Sequence, residues 1–158
     1  MFIKFLPYLL VFLIALIAGL NFFAFQSSWY FYHWWFDLVM HFLGGLFIGL
    51  TVWWLYQLFF TLLATKKLSL RSSFILMIGA ILIMGLGWEL FEFSVDEYWD
   101  THLNIKLIEV LQVSQEDTSS DLLFDILGGV TAWLMVNRFG KGKKSPIEIA
   151  EINSNNNV

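Results

Sequence analysis

Four apolar runs, each long enough to cross a bilayer, limit what this chain can fold into. A membrane-spanning helix needs roughly 20 mainly apolar residues, and the backbone must be helical there because lipid offers it no hydrogen-bond partner. The runs extend from about Phe5 to Phe25, Asp37 to Ala64, Ser73 to Phe93 and Asp121 to Asn137. A soluble helix is apolar along one stripe, whereas these are apolar all round. The expected fold is all-α: an integral membrane bundle of four transmembrane helices within residues 1–139, with both termini on the same side. Residues 94–120 are expected to form an extracytoplasmic loop, and its middle, LNIKLIEVLQV, fits a short helix or a strand. The polar, Asn-rich tail over residues 140–158 is expected to be disordered. Only 14% of the 158 residues are charged, against about a quarter in soluble domains. Cysteine is absent, which excludes disulfides, thiol catalysis and Cys-ligated metal. The first run has one basic residue, Lys4, ahead of it and no A-x-A site after it. It is longer than the ~7–15-residue core of a signal peptide, so a retained helix is expected.

The charges are segregated by sign, which the net −4 conceals. If the spans alternate, Lys4, Lys66, Lys67, Arg71, Arg138, Lys141, Lys143 and Lys144 share one side, and only Lys106 lies on the other. Basic residues collect on the cytoplasmic face. This predicts a multi-pass protein of the cytoplasmic (plasma) membrane with both termini inside. Nearly all the acidic residues then sit at the outer side. The aromatic segment SSWYFYHWWF (Ser27–Phe36) fits an interfacial turn there.

Ionisable residues recur at the outer ends of three spans. Asp37 and His41 are four apart, one turn on a helix face. Glu89, Glu92, Asp96 and Asp100 form one stripe if the third helix continues past Phe93. Asp117, Asp121 and Asp125 form another. Charge in the middle of a span costs about 2.5–3.5 kcal/mol per residue, so such residues face the bundle interior and find partners. No Lys or Arg lies nearby in sequence to serve as that partner. The clustered carboxylates must then share protons or bind a cation.

The stretch DLVMHFLGG (37–45) returns as DLLFDILGG (121–129), 84 positions on (121 − 37 = 84). A diverged pair of helical hairpins, both copies running the same way, would produce this. Gly44, Gly45, Gly49, Gly128 and Gly129 are expected at helix contacts, since small residues let backbones approach closely in lipid.

At Asp37 and His41, at Glu89 and Glu92 in WELFE, and at Asp121, Asp125 and Gly128–Gly129, the chain resembles small polytopic proteins of the VanZ-like and YjdF-like groups. The likeness spans about residues 35–135. It implies a bacterial inner-membrane protein, linked in VanZ's case to glycopeptide resistance at the cell envelope.

Three functions follow as alternatives. In the first, Asp37, His41, Glu92, Asp121 and Asp125 bind a divalent metal (Mn²⁺, Zn²⁺ or Mg²⁺), and the metal holds a lipid or cell-envelope headgroup. Glu89 is then a catalytic base or supporting group if the site is hydrolytic. In the second, the polar groups only fix helix packing in a scaffold or partner-binding protein. In the third, the bundle passes protons or cations, with Thr51, Gln57 and Thr61 as the only polar steps in the inner half. Expected partners are membrane lipid, an envelope component or a second copy of the chain. No organic cofactor and no nucleic acid is indicated.

Overall fold

The computed structural model of the protein describes residues 2–62, 69–103 and 115–139. Five helices account for them: α1 (Phe2–Ser27), α2 (Trp29–Tyr32), α3 (Trp34–Leu62), α4 (Leu70–Leu103) and α5 (Gln115–Phe139). Four are long and apolar enough to cross a membrane, over Lys4–Ser27, Trp34–Phe60, Leu70–Val95 and Asp117–Phe139. The fold is an all-α membrane bundle.

Helix extends beyond the apolar boundaries. α4 continues to Leu103, ten residues past Phe93 (103 − 93), and α5 starts at Gln115, six before Asp121 (121 − 115). Both flanks of the expected 94–120 loop are therefore helical. Hydropathy marks where lipid ends, not where helix ends, and SVDEYWDTHL contains no Gly or Pro to stop it. The loop centre (104–114) and the tail (140–158) lie outside the described residues.

α1 ends at Ser27, and the next residue, Ser28, has φ 54° and ψ 35° in the left-handed region. That single residue turns the chain into the one-turn α2, closed by His33 N–H donating to the Trp29 carbonyl at 2.8 Å. The rings of Trp29 and Tyr30 then meet Phe36 edge-on, so the aromatic segment folds back over the start of α3.

α3 and α5 run parallel and in contact. Gly45 faces the Asp125 backbone, Gly128 faces the backbone of Phe42 and Leu46, and Gly49 faces Ala132. α1 packs on α3, and α4 packs on both α3 and α5. Where α1 begins and α3 and α5 end, Leu6, Leu10, Leu13, Leu50, Ala132 and Val136 form a closed apolar core. At the opposite end Ala24, Phe36 and Met40 form a smaller cluster. Outward positions are apolar and bare, such as Phe12, Ile83 and Leu134, as lipid-facing surface should be.

Candidate functional site

The starts of α3 and α5 and the outer part of α4 bring six ionisable side chains together. His41 is the centre. Its Nε2 lies 3.9 Å from Asp37 Oδ1, 3.9 Å from Glu89 Oε1 and 3.9 Å from Asp121 Oδ1. Its Nδ1 lies 3.5 Å from Asp125 Oδ2. Glu92 joins on the α4 side: His41, Glu89 and Glu92 each offer a ligand atom within 4.8 Å of the others, as do Asp37, His41 and Asp121.

Glycine creates the space. A Cβ on Gly45 would overlap the Asp125 carbonyl and stand 2.8 Å from its Cα. A Cβ on Gly85 would stand 2.5 Å from Asp125 Oδ2. Asp125 is thus seated against α3 by one glycine and against α4 by the other, which aims its carboxylate at the imidazole. Gly44 plays a looser part, with Asp125 Oδ1 at 3.8 Å from its would-be Cβ.

The hydrogen bonding is incomplete. Glu89 Oε2 accepts from Thr118 Oγ1 at 2.8 Å, and Glu92 Oε1 accepts from Trp88 Nε1 at 2.8 Å. Among the described residues, Glu89 Oε1, Asp121 Oδ1 and Asp125 Oδ2 are buried and meet no donor in hydrogen-bonding geometry. All three face His41. Asp121 is only 2% exposed and Asp125 4%. Five carboxylates surround one imidazole. If four stayed charged and unmatched, insertion at about 2.5–3.5 kcal/mol each would cost about 10–14 kcal/mol at mid-span and less towards the interface, comparable with the whole stability of a typical fold. The cluster therefore holds protons or a cation.

A cavity of about 180 Å³ opens beside the cluster, between α1, α3 and α4. Asp37, His41, Glu92 and Asp125 line its polar end, and Glu89 and Asp121 stand against His41 without lining it. Across it the Tyr30 hydroxyl donates to Asn21 Oδ1 at 2.5 Å, and Asn21 Nδ2 donates to the Ile17 carbonyl at 3.2 Å. Burial, then the Asp37 and Glu92 carboxylates, push the Tyr30 hydroxyl up from its ordinary pKa, so it stays a neutral donor.

All six residues singled out in the sequence, Asp37, His41, Glu89, Glu92, Asp121 and Asp125, meet here. They do not share one role. Asp125 faces Nδ1 while Asp37, Glu89 and Asp121 face Nε2, so one ion on Nε2 cannot also take Asp125 as a direct ligand. Asp125 is instead placed to orient the ring. The side chains of Asp96 and Asp100 lie outside the described part of α4. Thr118, Asn21, Tyr30 and Trp88 went unassigned in the sequence. Trp88 alone carried a signal, one turn before Glu92.

These features define a multi-pass membrane protein built around a buried histidine–carboxylate centre. The chain belongs to the family described as "Predicted membrane protein (DUF2238)", whose profile matches residues 3–142. Neither the curated proteins nor the solved structures gave a match.

Proposed function

We propose that this protein binds a divalent cation at His41 Nε2, with Asp37 and Asp121 as carboxylate ligands and Glu89 beside them, and uses it to hold an anionic lipid or envelope headgroup. The observation that carries this is the set of donorless buried oxygens converging on one imidazole. A purely structural cluster is normally closed by hydrogen bonds; this one leaves acceptors facing one another across a gap that a cation fills. One nitrogen with several hard oxygens suits Mn²⁺ or Zn²⁺ better than Mg²⁺. Tetrahedral Zn²⁺ places its ligand atoms roughly 3.3–3.5 Å apart, so binding would draw Asp37 and Asp121 inward from 3.9 Å to Nε2 by about half an ångström. Asp125, on the far ring nitrogen, fixes the ring as an outer partner does. Glu92, held by Trp88, stands by on the cavity side. In the hydrolytic form of the proposal the cation lowers the pKa of a water, and Glu89 is the base.

The alternative, polar groups serving only helix packing, is disfavoured by those same orphaned oxygens. Glycine already supplies close α3–α5 packing. Proton or cation passage is disfavoured by the apolar core at the other end, where Leu10, Leu13, Leu50 and Val136 close the bundle. Lys4, Arg71 and Arg138 lie towards that other end, at the starts of α1 and α4 and the finish of α5. By the distribution of basic residues, the centre is then extracytoplasmic. The likeness to VanZ-like and YjdF-like proteins, carried by the same six residues, is consistent with such a place at a bacterial envelope.

The test is equilibrium binding of Mn²⁺ and Zn²⁺ to the purified chain. About one ion per chain is expected, lost in His41→Ala and in Asp121→Asn. No stoichiometric ion, or full binding in His41→Ala, would overturn the proposal.

A further inference from the structure

We propose that the ligand on this cation is the phosphomonoester headgroup of an anionic membrane lipid, which enters sideways from the bilayer between α1 and α4. The inference rests on the cation reading and adds the ligand class and its route. The cavity is two-faced: Ile17, Met40, Ile48 and Met84 make apolar walls, and Asp37 and His41 stand at its polar end. A site of that shape matches an amphiphile, with the polar part at the acids and carbon along the walls. Its mouth faces hydrocarbon. Met84 and Trp88 line the cavity, yet they are 57% and 52% exposed, and both lie within the Leu70–Val95 span. The space suits a headgroup rather than a whole lipid: 180 Å³ is about six waters at ~30 Å³ each. The acyl chains would stay in the bilayer.

The lining also dictates the order of binding. Among the described residues no Lys or Arg lines the cavity, and four of its side chains are Asp37, His41, Glu92 and Asp125. A bare phosphate is repelled there, so the cation binds first and the phosphate completes its coordination. Cation and lipid affinities must then rise together by one common factor.

The experiment uses the full chain in nanodiscs of phosphatidylcholine, with or without added phosphatidic acid. Free Mn²⁺ is read by its paramagnetic resonance signal. Phosphatidic acid is expected to tighten Mn²⁺ binding about tenfold, a typical coupling. Met84→Trp, which fills the mouth, should abolish that gain while leaving Mn²⁺ binding in pure phosphatidylcholine unchanged. Ile48→Phe, which fills the cavity from α3, should do the same and carries the test if Met84→Trp fails to fold. A gain that persists in both variants is surface charge, and the lipid site is then wrong. An equal gain from soluble glycerol 3-phosphate in pure phosphatidylcholine discs overturns the lipid source. Metal-free binding of phosphatidylcholine would show a cationic headgroup site and also overturn it. Mn²⁺ binding with no lipid gain removes only this inference, whereas no Mn²⁺ binding removes the cation reading beneath it.

Discussion

The nine residues from Asp37 to Gly45 on α3 and the nine from Asp121 to Gly129 on α5 share a pattern and lie side by side, pointing the same way. Equivalent positions meet: His41 faces Asp125, and the Gly45 carbonyl lies 3.9 Å from where a Gly129 Cβ would stand. The two copies are nonetheless not used alike. Gly45 is pressed on the Asp125 backbone, while its counterpart Gly129 meets chiefly the tip of the Ile81 side chain. Gly128 is pressed on the Phe42 backbone, while its counterpart Gly44 meets only a carboxylate oxygen at 3.8 Å. A repeated frame therefore carries an unsymmetrical site. One copy supplies the imidazole and the other the acid that faces it.

The largest effect should come from the two glycines that touch backbone. Gly45→Val and Gly128→Val each drive a side chain into a facing helix that has no rotamer to move aside. Each should cost about 3 kcal/mol or more, the upper end of overpacking. Against a total of about 5–15 kcal/mol, that removes roughly a fifth to three fifths of the stability. Melting of the purified variants in detergent measures it. Wild-type melting in either would mean that α3 and α5 are not in backbone contact.

Next come the residues that break the symmetry. His41→Ala should weaken Mn²⁺ or Zn²⁺ binding by about 100-fold or more, and Asp125→Asn by about 10–100-fold, the usual range for an outer partner of a ligating histidine. The exchange His41→Asp with Asp125→His tests the frame itself. Under a true two-fold axis it would restore binding. We expect no recovery, because position 125 sits between Gly45 and Gly85, where a carboxylate fits and an imidazole does not. Recovery to within tenfold of wild type would show the frame to be more symmetric than its contacts indicate.

Much of this comparison is legible in the sequence, and its limits are physical. Apolar runs of 17 to 28 residues announce four spans, because lipid leaves the chain few other choices. Spacing of four puts Asp37 beneath His41 and Asp121 beneath Asp125, since one helix turn decides it. Topology brings Glu89 and Glu92 to the same end. What spacing cannot encode is which ring nitrogen faces which acid, since that depends on how α5 is rotated against α3. Thr118 was hidden for the same reason: it reaches Glu89 from another helix, 29 positions away. Nor does GG distinguish a glycine under a backbone from one beside a side chain.

Metal removal gives a middle-sized effect. An ion that binds only the folded chain stabilises it by about 2.7 kcal/mol at 100 times its Kd. Chelator should lower the melting temperature of the wild type and leave His41→Ala unmoved. An equal drop in both would place the stabilising ion somewhere other than His41.

The smallest effect separates two adjacent glycines. Gly44→Ala adds a methyl that meets only Asp125 Oδ1 at 3.8 Å, an ordinary contact. Replacing Gly by Ala within a helix gains about 0.5–1 kcal/mol, so Gly44→Ala should melt at or slightly above wild type. Gly129→Ala should lie below it, because the Ile81 methyl must swing aside, which a side-chain tip can do but a fully buried one does at some cost. Gly45→Ala, one position along from Gly44, should melt well below both, since its methyl meets the Asp125 main chain. Helix propensity is the same at all three positions, so the order of the melting temperatures reads the α3–α5 rotation directly. If Gly44→Ala proved the most damaging of the three, α5 would have to be turned the other way, and Asp125 would no longer face His41 Nδ1.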